Sequence, residues 1–96
     1  MRIVQWTDPA KADLARIDED LAAADTDYAD RVGAAAIASG RFLADWLGAG
    51  PPIDADPTVH KWPVKATPYL LLYRVIDDTP HILRVRHAHE DWASDF

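Results

Sequence analysis

The chain has 96 residues with no cysteine, 49% apolar content and a formal net charge of −6. That length is one domain, residues 1–96, with room for one hydrophobic core, and the apolar content excludes a disordered chain. The missing cysteines exclude disulfides and thiolate metal sites, and the net charge argues against a protein that grips nucleic acid through phosphates. No apolar run approaches the ~20 residues that span a bilayer, and MRIVQWTDPA lacks a signal peptide's apolar stretch. A cytoplasmic protein with no membrane association is expected.

Arg2 to Trp6 reads as a short strand. Thr7-Asp8-Pro9 then opens a helix with a capping side chain and a proline where its missing N–H costs nothing. Leu14, Ile17, Leu21 and Ala24 follow at helical spacing, and Asp13, Arg16, Glu19 and Asp20 are assigned to the solvent side. Asp25-Thr26-Asp27 caps a second helix, with Tyr28, Val32, Ala35, Ala36, Leu43, Trp46 and Leu47 on its inner stripe. Gly33 and Gly40 lie on a neighbouring stripe. They mark either close approach of the first helix or simple tolerance of glycine. Gly48-Ala49-Gly50-Pro51-Pro52 ends the helix, and Ile53 to Pro57 is a loop.

Three strands close the chain, at about Thr58–Val64, Tyr69–Ile76 and His81–His87. They are joined by turns at Lys65-Ala66-Thr67-Pro68 and Asp77-Asp78-Thr79-Pro80. Segregated helices and strands define an α+β fold: β-α-α-β-β-β, a helical hairpin on one face of an antiparallel four-stranded sheet. Period-2 alternation puts Tyr69, Leu71, Tyr73 and Val75, with Leu83 and Val85, under the helices. The opposite face then carries Leu70, Leu72, Ile76 and Ile82 beside Arg74, Arg84 and Arg86. An apolar patch rimmed by arginines is read as a binding surface that needs a cover from outside the chain; for Arg84 and Arg86 the alternative is pairing with nearby Asp or Glu.

Acidic residues crowd the first half, whereas Lys61, Lys65, Arg74, Arg84 and Arg86 and three of the four histidines lie in the second. His87, at a strand end, reads as a structural histidine, with catalysis as the alternative. His87-Ala88-His89 beside Glu90 and Asp91 imitates a metal site, but two ligands at this spacing fall short of the three or four that zinc needs. No metal and no cofactor is expected. Tyr69 and Tyr73 read as core aromatics with polar tips. Trp92 either makes a partner contact or caps the core against Trp6.

Trp6, Ala12, Asp13, Leu14 and Ile17 near the start resemble the opening of the RelE/ParE toxins of bacterial type II toxin–antitoxin modules. The end resembles them more closely still: Trp62-Pro63-Val64, Pro68-Tyr69 with Leu71, Leu72, Tyr73, Arg74 and Val75, Ile82-Leu83-Arg84-Val85, His87, and Asp91-Trp92. The resemblance spans essentially the whole chain and implies the fold already derived. It also implies a cognate antitoxin, ParD-like, with a ribbon-helix-helix start and an amphipathic C-terminal tail. That tail would cover Leu70, Leu72, Arg74, Ile76, Ile82, Arg84 and Arg86, so that Leu72→Asp or Ile82→Asp would weaken the complex.

Two activities share this scaffold: RelE-like members cut mRNA on the ribosome, whereas ParE-like members, which include plasmid stabilisation proteins, trap DNA gyrase without chemistry of their own. Nucleases of the family carry an arginine after the central tyrosine, where this chain has Leu70, and a lysine where it has Pro63. At the end, where they carry Lys or Arg and later Tyr, this chain has His89, Glu90 and Asp91. The departures and the acidic charge place it on the ParE-like branch, with gyrase as target, no catalytic residues, no direct nucleic-acid binding and His89 and Trp92 as target contacts. The alternatives are a ribosome-dependent mRNA endonuclease using Lys61, Lys65, Arg84 and His87, and a non-toxic module that only binds its antitoxin.

Overall fold

A computed structural model describes residues 3–96 of the chain. Arg2, assigned to the first strand from the sequence, lies outside the described residues. The elements run β1 (Gln5–Trp6), α1 (Asp8–Ala22), α2 (Thr26–Asp45), β2 (His60–Pro63), β3 (Tyr69–Ile76) and β4 (Thr79–His87), followed by a 3₁₀ turn at Trp92–Asp95. The sheet order is β1-β4-β3-β2. The last three strands are antiparallel as expected, but β1 pairs parallel to β4, through Gln5 with His81 and Trp6 with Ile82.

Both predicted helix starts are present. Thr7 Oγ1 accepts from Ala10 N at 3.3 Å, and Asp25 Oδ1 accepts from Tyr28 N at 3.0 Å. Each satisfies one of the amides that a helix start leaves without a partner. The β3–β4 hairpin is tighter than the sequence suggested. Ile76 pairs with Thr79, so Asp77 and Asp78 alone form the loop, at φ 50° and 60°. Two consecutive left-handed residues make a type I′ turn, whose twist matches that of the strands it joins.

The helical hairpin covers one sheet face. Ala10, Ile17, Val32, Ala36, Leu43, Val64, Leu71, Tyr73, Ile82 and Val85 form the core there, with Tyr69 and Val75 packed against it. Trp46 does not join that stripe. It lies one residue past the end of α2, is 63% exposed, and stacks on Phe42. Neither glycine of α2 meets α1. Gly33 faces open space, whereas a Cβ on Gly40 would lie 2.8 Å from the Trp6 ring, so it is β1 that needs the missing side chain.

The opposite face is not left open. Ile53, Val59 and Leu72 form a second buried cluster, with Leu83 and Trp92 packed against it. The loop before β2 and the segment after β4 thus fold back over the sheet, and the chain supplies part of the cover that the sequence reading assigned to a partner. Trp92 belongs here, near Lys61 (Nζ 5.6 Å from the ring centroid), rather than against Trp6.

A register shift explains the other change of face. Leu72 pairs with Arg84 but Tyr73 pairs with Ile82, which leaves Leu83 as an extra residue in β4. Such a bulge resets the alternation. Ile82 is therefore fully buried under the helices and Leu83 packs on the far side, the reverse of the assignment from strict alternation.

Candidate functional site

The predicted binding face holds its arginines, but each is engaged by a carboxylate of the same chain. Asp13, expected on the solvent side of α1, is 1% exposed. α1 runs beside the stretch of β4 that β1 does not reach. There Asp13 Oδ2 accepts from Val85 N at 3.0 Å, and its two oxygens accept from Arg84 Nε and Nη2 at 2.8 and 2.9 Å. Arg16 adds a contact at 3.4 Å. Burial pushes the Asp13 carboxyl up, but the Arg84 and Val85 donors outweigh it and hold the group below the ordinary carboxylate value. In return Asp13 raises the pKa of Arg84.

Arg86 makes the second fork, with Nε and Nη2 on the Asp95 oxygens at 2.8 and 3.0 Å, and Glu90 lies 3.6 Å from its Nη1. That fork lowers the pKa of Asp95, and Arg84 Nη1 lies 3.9 Å from the same carboxylate. Arg74 reaches Thr58 Oγ1 at 3.2 Å and Asp56 Oδ2 at 3.3 Å, tying β3 to the covering loop. Of the apolar residues predicted on this face, Leu72 and Ile82 are fully buried, Leu70 is half-buried, and Ile76 is exposed at the hairpin end. Leu72 and Ile82 are thus corrected from surface to core: one lies under the 53–59 loop, the other on the helical side of the bulge.

The residues of the nuclease alternative are distributed over different surfaces. Lys61 pairs with Leu72 and Leu72 with Arg84, so Lys61 and Arg84 flank Leu72 on the face away from the helices. With strands ~4.8 Å apart, their backbones are roughly 10 Å from each other. His87 pairs with Tyr69 on the helical side, its ring 5.5 Å from the tyrosine's in an edge-on contact. Lys65 sits in the β2–β3 turn, against α2. His87 Nδ1 accepts from His89 N at 3.2 Å, and the His89 side chain is exposed. Among the described residues, no three His, Asp or Glu side chains are grouped to hold a metal. Tyr73 is fully buried with its hydroxyl satisfied, donating to Leu47 O and accepting from Gly50 N, both at 2.9 Å. Burial raises its pKa and the Gly50 donor partly opposes that.

A surface that the sequence reading passed over lies between α2 and β2. Ala35, Ala38 and Phe42 form one wall of a groove of about 620 Å³, and Trp62, Pro63 and Lys65 form the other. Phe42 and Trp62 stack at 5.3 Å with planes 10° apart, and Trp46 extends the ladder at 6.4 Å from Phe42. Phe42 is 42% exposed. The signal available in the sequence was one aromatic too many on α2: Phe42 falls outside the stripe that holds Val32, Ala36 and Leu43.

Fold and surfaces together define a small α+β protein: a helical hairpin on a mostly antiparallel sheet, with one arginine-rich face closed by its own carboxylates and one aromatic groove left open. Residues 4–92 match the ParE toxin of type II toxin–antitoxin systems, parDE, and the chain belongs to that family. Among solved structures it is similar to the chromosomal ParDE TA system of P. aeruginosa. There the TM-score is 0.79 at 24% identity, covering 91% of this chain and 96% of that one. It is also similar to the toxin–antitoxin complex RelBE2 of Mycobacterium tuberculosis, with a TM-score of 0.65 at 26% identity over 90% of this chain and 96% of that one. No curated protein sequence matches the chain. Among the described residues, no helix is long and apolar enough to cross a membrane.

Proposed function

We propose that this member of the ParE toxin family acts by binding DNA gyrase, without phosphodiester chemistry of its own, and that a cognate ParD-like antitoxin neutralises it in the cytoplasm. The observation that carries the first part is the dispersal of the nuclease set. Cleavage of RNA needs cations placed around the reacting phosphate, with a general acid and base within hydrogen-bond reach. Lys61 and Arg84 share a face with buried Leu72 between them, His87 lies on the other face, and Lys65 sits beside α2. Arg84 already has Asp13 on two of its donors.

The antitoxin partner is supported by the family and by its solved relatives, a ParDE TA system and a toxin–antitoxin complex. Adding purified chain to gyrase and relaxed plasmid tests the target. Supercoiling should stop and gyrase-cleaved DNA should accumulate. Normal supercoiling at excess protein would sink the gyrase reading. Discrete cuts in translated mRNA, lost in Arg84→Ala, would put the endonuclease alternative in its place.

A further inference from the structure

We infer that the exposed face of α2 is a self-association surface. Two copies of the chain pack antiparallel across a two-fold axis at Ala38, with Phe42 of each copy over Ala34 of the other and Arg31 of each beside Asp45 of the other. The inference concerns the free chain and is independent of its antitoxin and its target.

At 3.6 residues per turn, positions 31, 34, 38, 42 and 45 of a helix fall along one narrow stripe, about 21 Å long at ~1.5 Å per residue. In α2 these are Arg31, Ala34, Ala38, Phe42 and Asp45, and all five are exposed. Ile37 and Trp46 flank the stripe and are exposed as well. The core already holds Val32, Ala36 and Leu43 from the other side of the helix. Large apolar side chains on the outer side are therefore surplus to the fold and mark a face that associates.

The stripe is complementary to itself in shape. Ala34 and Ala38 are small and let a second helix approach closely. Beside Ala34 lies a concavity of about 340 Å³, lined also by Ala35, Lys65 and Ala66. Phe42 is the stripe's large side chain. With an antiparallel axis at Ala38, positions four before and four after the axis face each other. The Phe42 ring of each copy then meets the Ala34 hollow of the other, so the contact is made twice, as a two-fold interface requires.

Charge fixes the direction and the register. Lys11, Arg16, Arg74, Arg84 and Arg86 are ion-paired within the chain, whereas among the described residues Arg31 and Asp45 pair with nothing. Asp45 lies in the last turn of α2, which holds no basic residue. The helix dipole disfavours a carboxylate there. Arg31 and Asp45 stand seven positions before and after Ala38, so the antiparallel pair forms two Arg31–Asp45 contacts. Parallel packing would set each charge against its own copy. An antiparallel axis at Ala34 would set Phe42 against Thr26 and Ala38 against Asp30. Two helices over this length should bury no more than the ~800 Å² per partner of a standard interface, so the association is weak and reversible.

Sedimentation of the free chain over a micromolar-to-millimolar range tests this. The average mass of the parent chain should climb from one copy toward two. Arg31→Asp and Asp45→Arg each create two like-charge contacts and should each weaken association by about tenfold or more. The double variant Arg31→Asp/Asp45→Arg restores both ion pairs and should return to within about threefold of the parent. Its exchanged charges also suit the helix dipole, and circular dichroism confirms folding. Ala38→Glu, with two carboxylates on the axis, should stay monomeric. A parent chain that stays monomeric throughout would overturn the inference and leave the face to a different occupant. A dimer that survives the single reversals, or that the double variant fails to restore, would overturn it by placing the interface elsewhere.

Discussion

The arginine-rich sheet face looked, by residue type, like a surface that binds and the α2–β2 groove did not, yet their physical states are the reverse of that. On the sheet face every arginine has a carboxylate of the same chain in contact, and the apolar centre is filled by Ile53, Val59, Leu83 and Trp92. In the groove Phe42 stays exposed, Trp62 is half-buried, and the nearby Lys65 has no carboxylate partner among the described residues. Satisfaction, rather than composition, separates a structural surface from a recognition surface. A paired and buried group has already exchanged its water for protein, whereas an exposed ring or an unpaired cation has that gain still to make.

The widest separation between the two regions is expected from Leu72→Asp. It places a charge with no partner in the centre of the second cluster, so it should cost at least about 4 kcal/mol, a large part of the 5–15 kcal/mol typical of a domain. Urea unfolding should show a collapse of stability. A folded variant with weakened antitoxin binding instead would restore the face to the partner. Next is Asp13→Ala. Removing one member of a buried, hydrogen-bonded ion pair costs about 3–5 kcal/mol, and the partial exposure of Arg84 argues for the lower end, about 3 kcal/mol. Denaturation midpoints of the variant and the parent chain measure it.

The same groups fix the response to acid. Asp13 and Asp95 have pKa values lowered in the fold, so the unfolded chain binds more protons between the folded values and the ordinary carboxylate value near ~3.9. Their contribution is present above that ordinary value and is lost as pH falls through the folded values. Thermal melts should therefore drop steeply below about pH 4, and Asp13→Asn should flatten the drop. An unaltered acid limb in that variant would mean that Asp13 titrates alike in both states. The smallest effect expected is from Asp95→Asn. Loss of an outer ion pair should cost about 1 kcal/mol or less globally, while freeing the segment after β4 to faster proteolysis.

Much of the architecture was legible because it depends on local chemistry. Thr7 and Asp25 are good caps wherever they precede an apolar stripe, and the tyrosine alternation of β3 puts Leu71 and Tyr73 in the core without knowledge of the rest. What was missed depends on long-range geometry. Strict alternation along β4 cannot anticipate an extra residue at Leu83, and that one residue moved Ile82 from surface to core. Asp13 lies on the same helical stripe as Ala10 and Ile17, so its burial had a signal. An acidic residue on an apolar stripe demands a buried cation, and Arg84 is the one that answers. The groove was missed because it joins Phe42 and Trp62, twenty positions apart, from elements that the pattern treats separately.

Hydrogen exchange read by mass spectrometry, on the free chain at low and at high concentration, tests the central distinction most directly. Slowed exchange at high concentration is predicted over residues 31–45 and 65–66, with residues 84–87 unchanged because Asp13 and Glu90 already hold the outward amides there. New protection across 84–87, with α2 left as it was, would contradict the account.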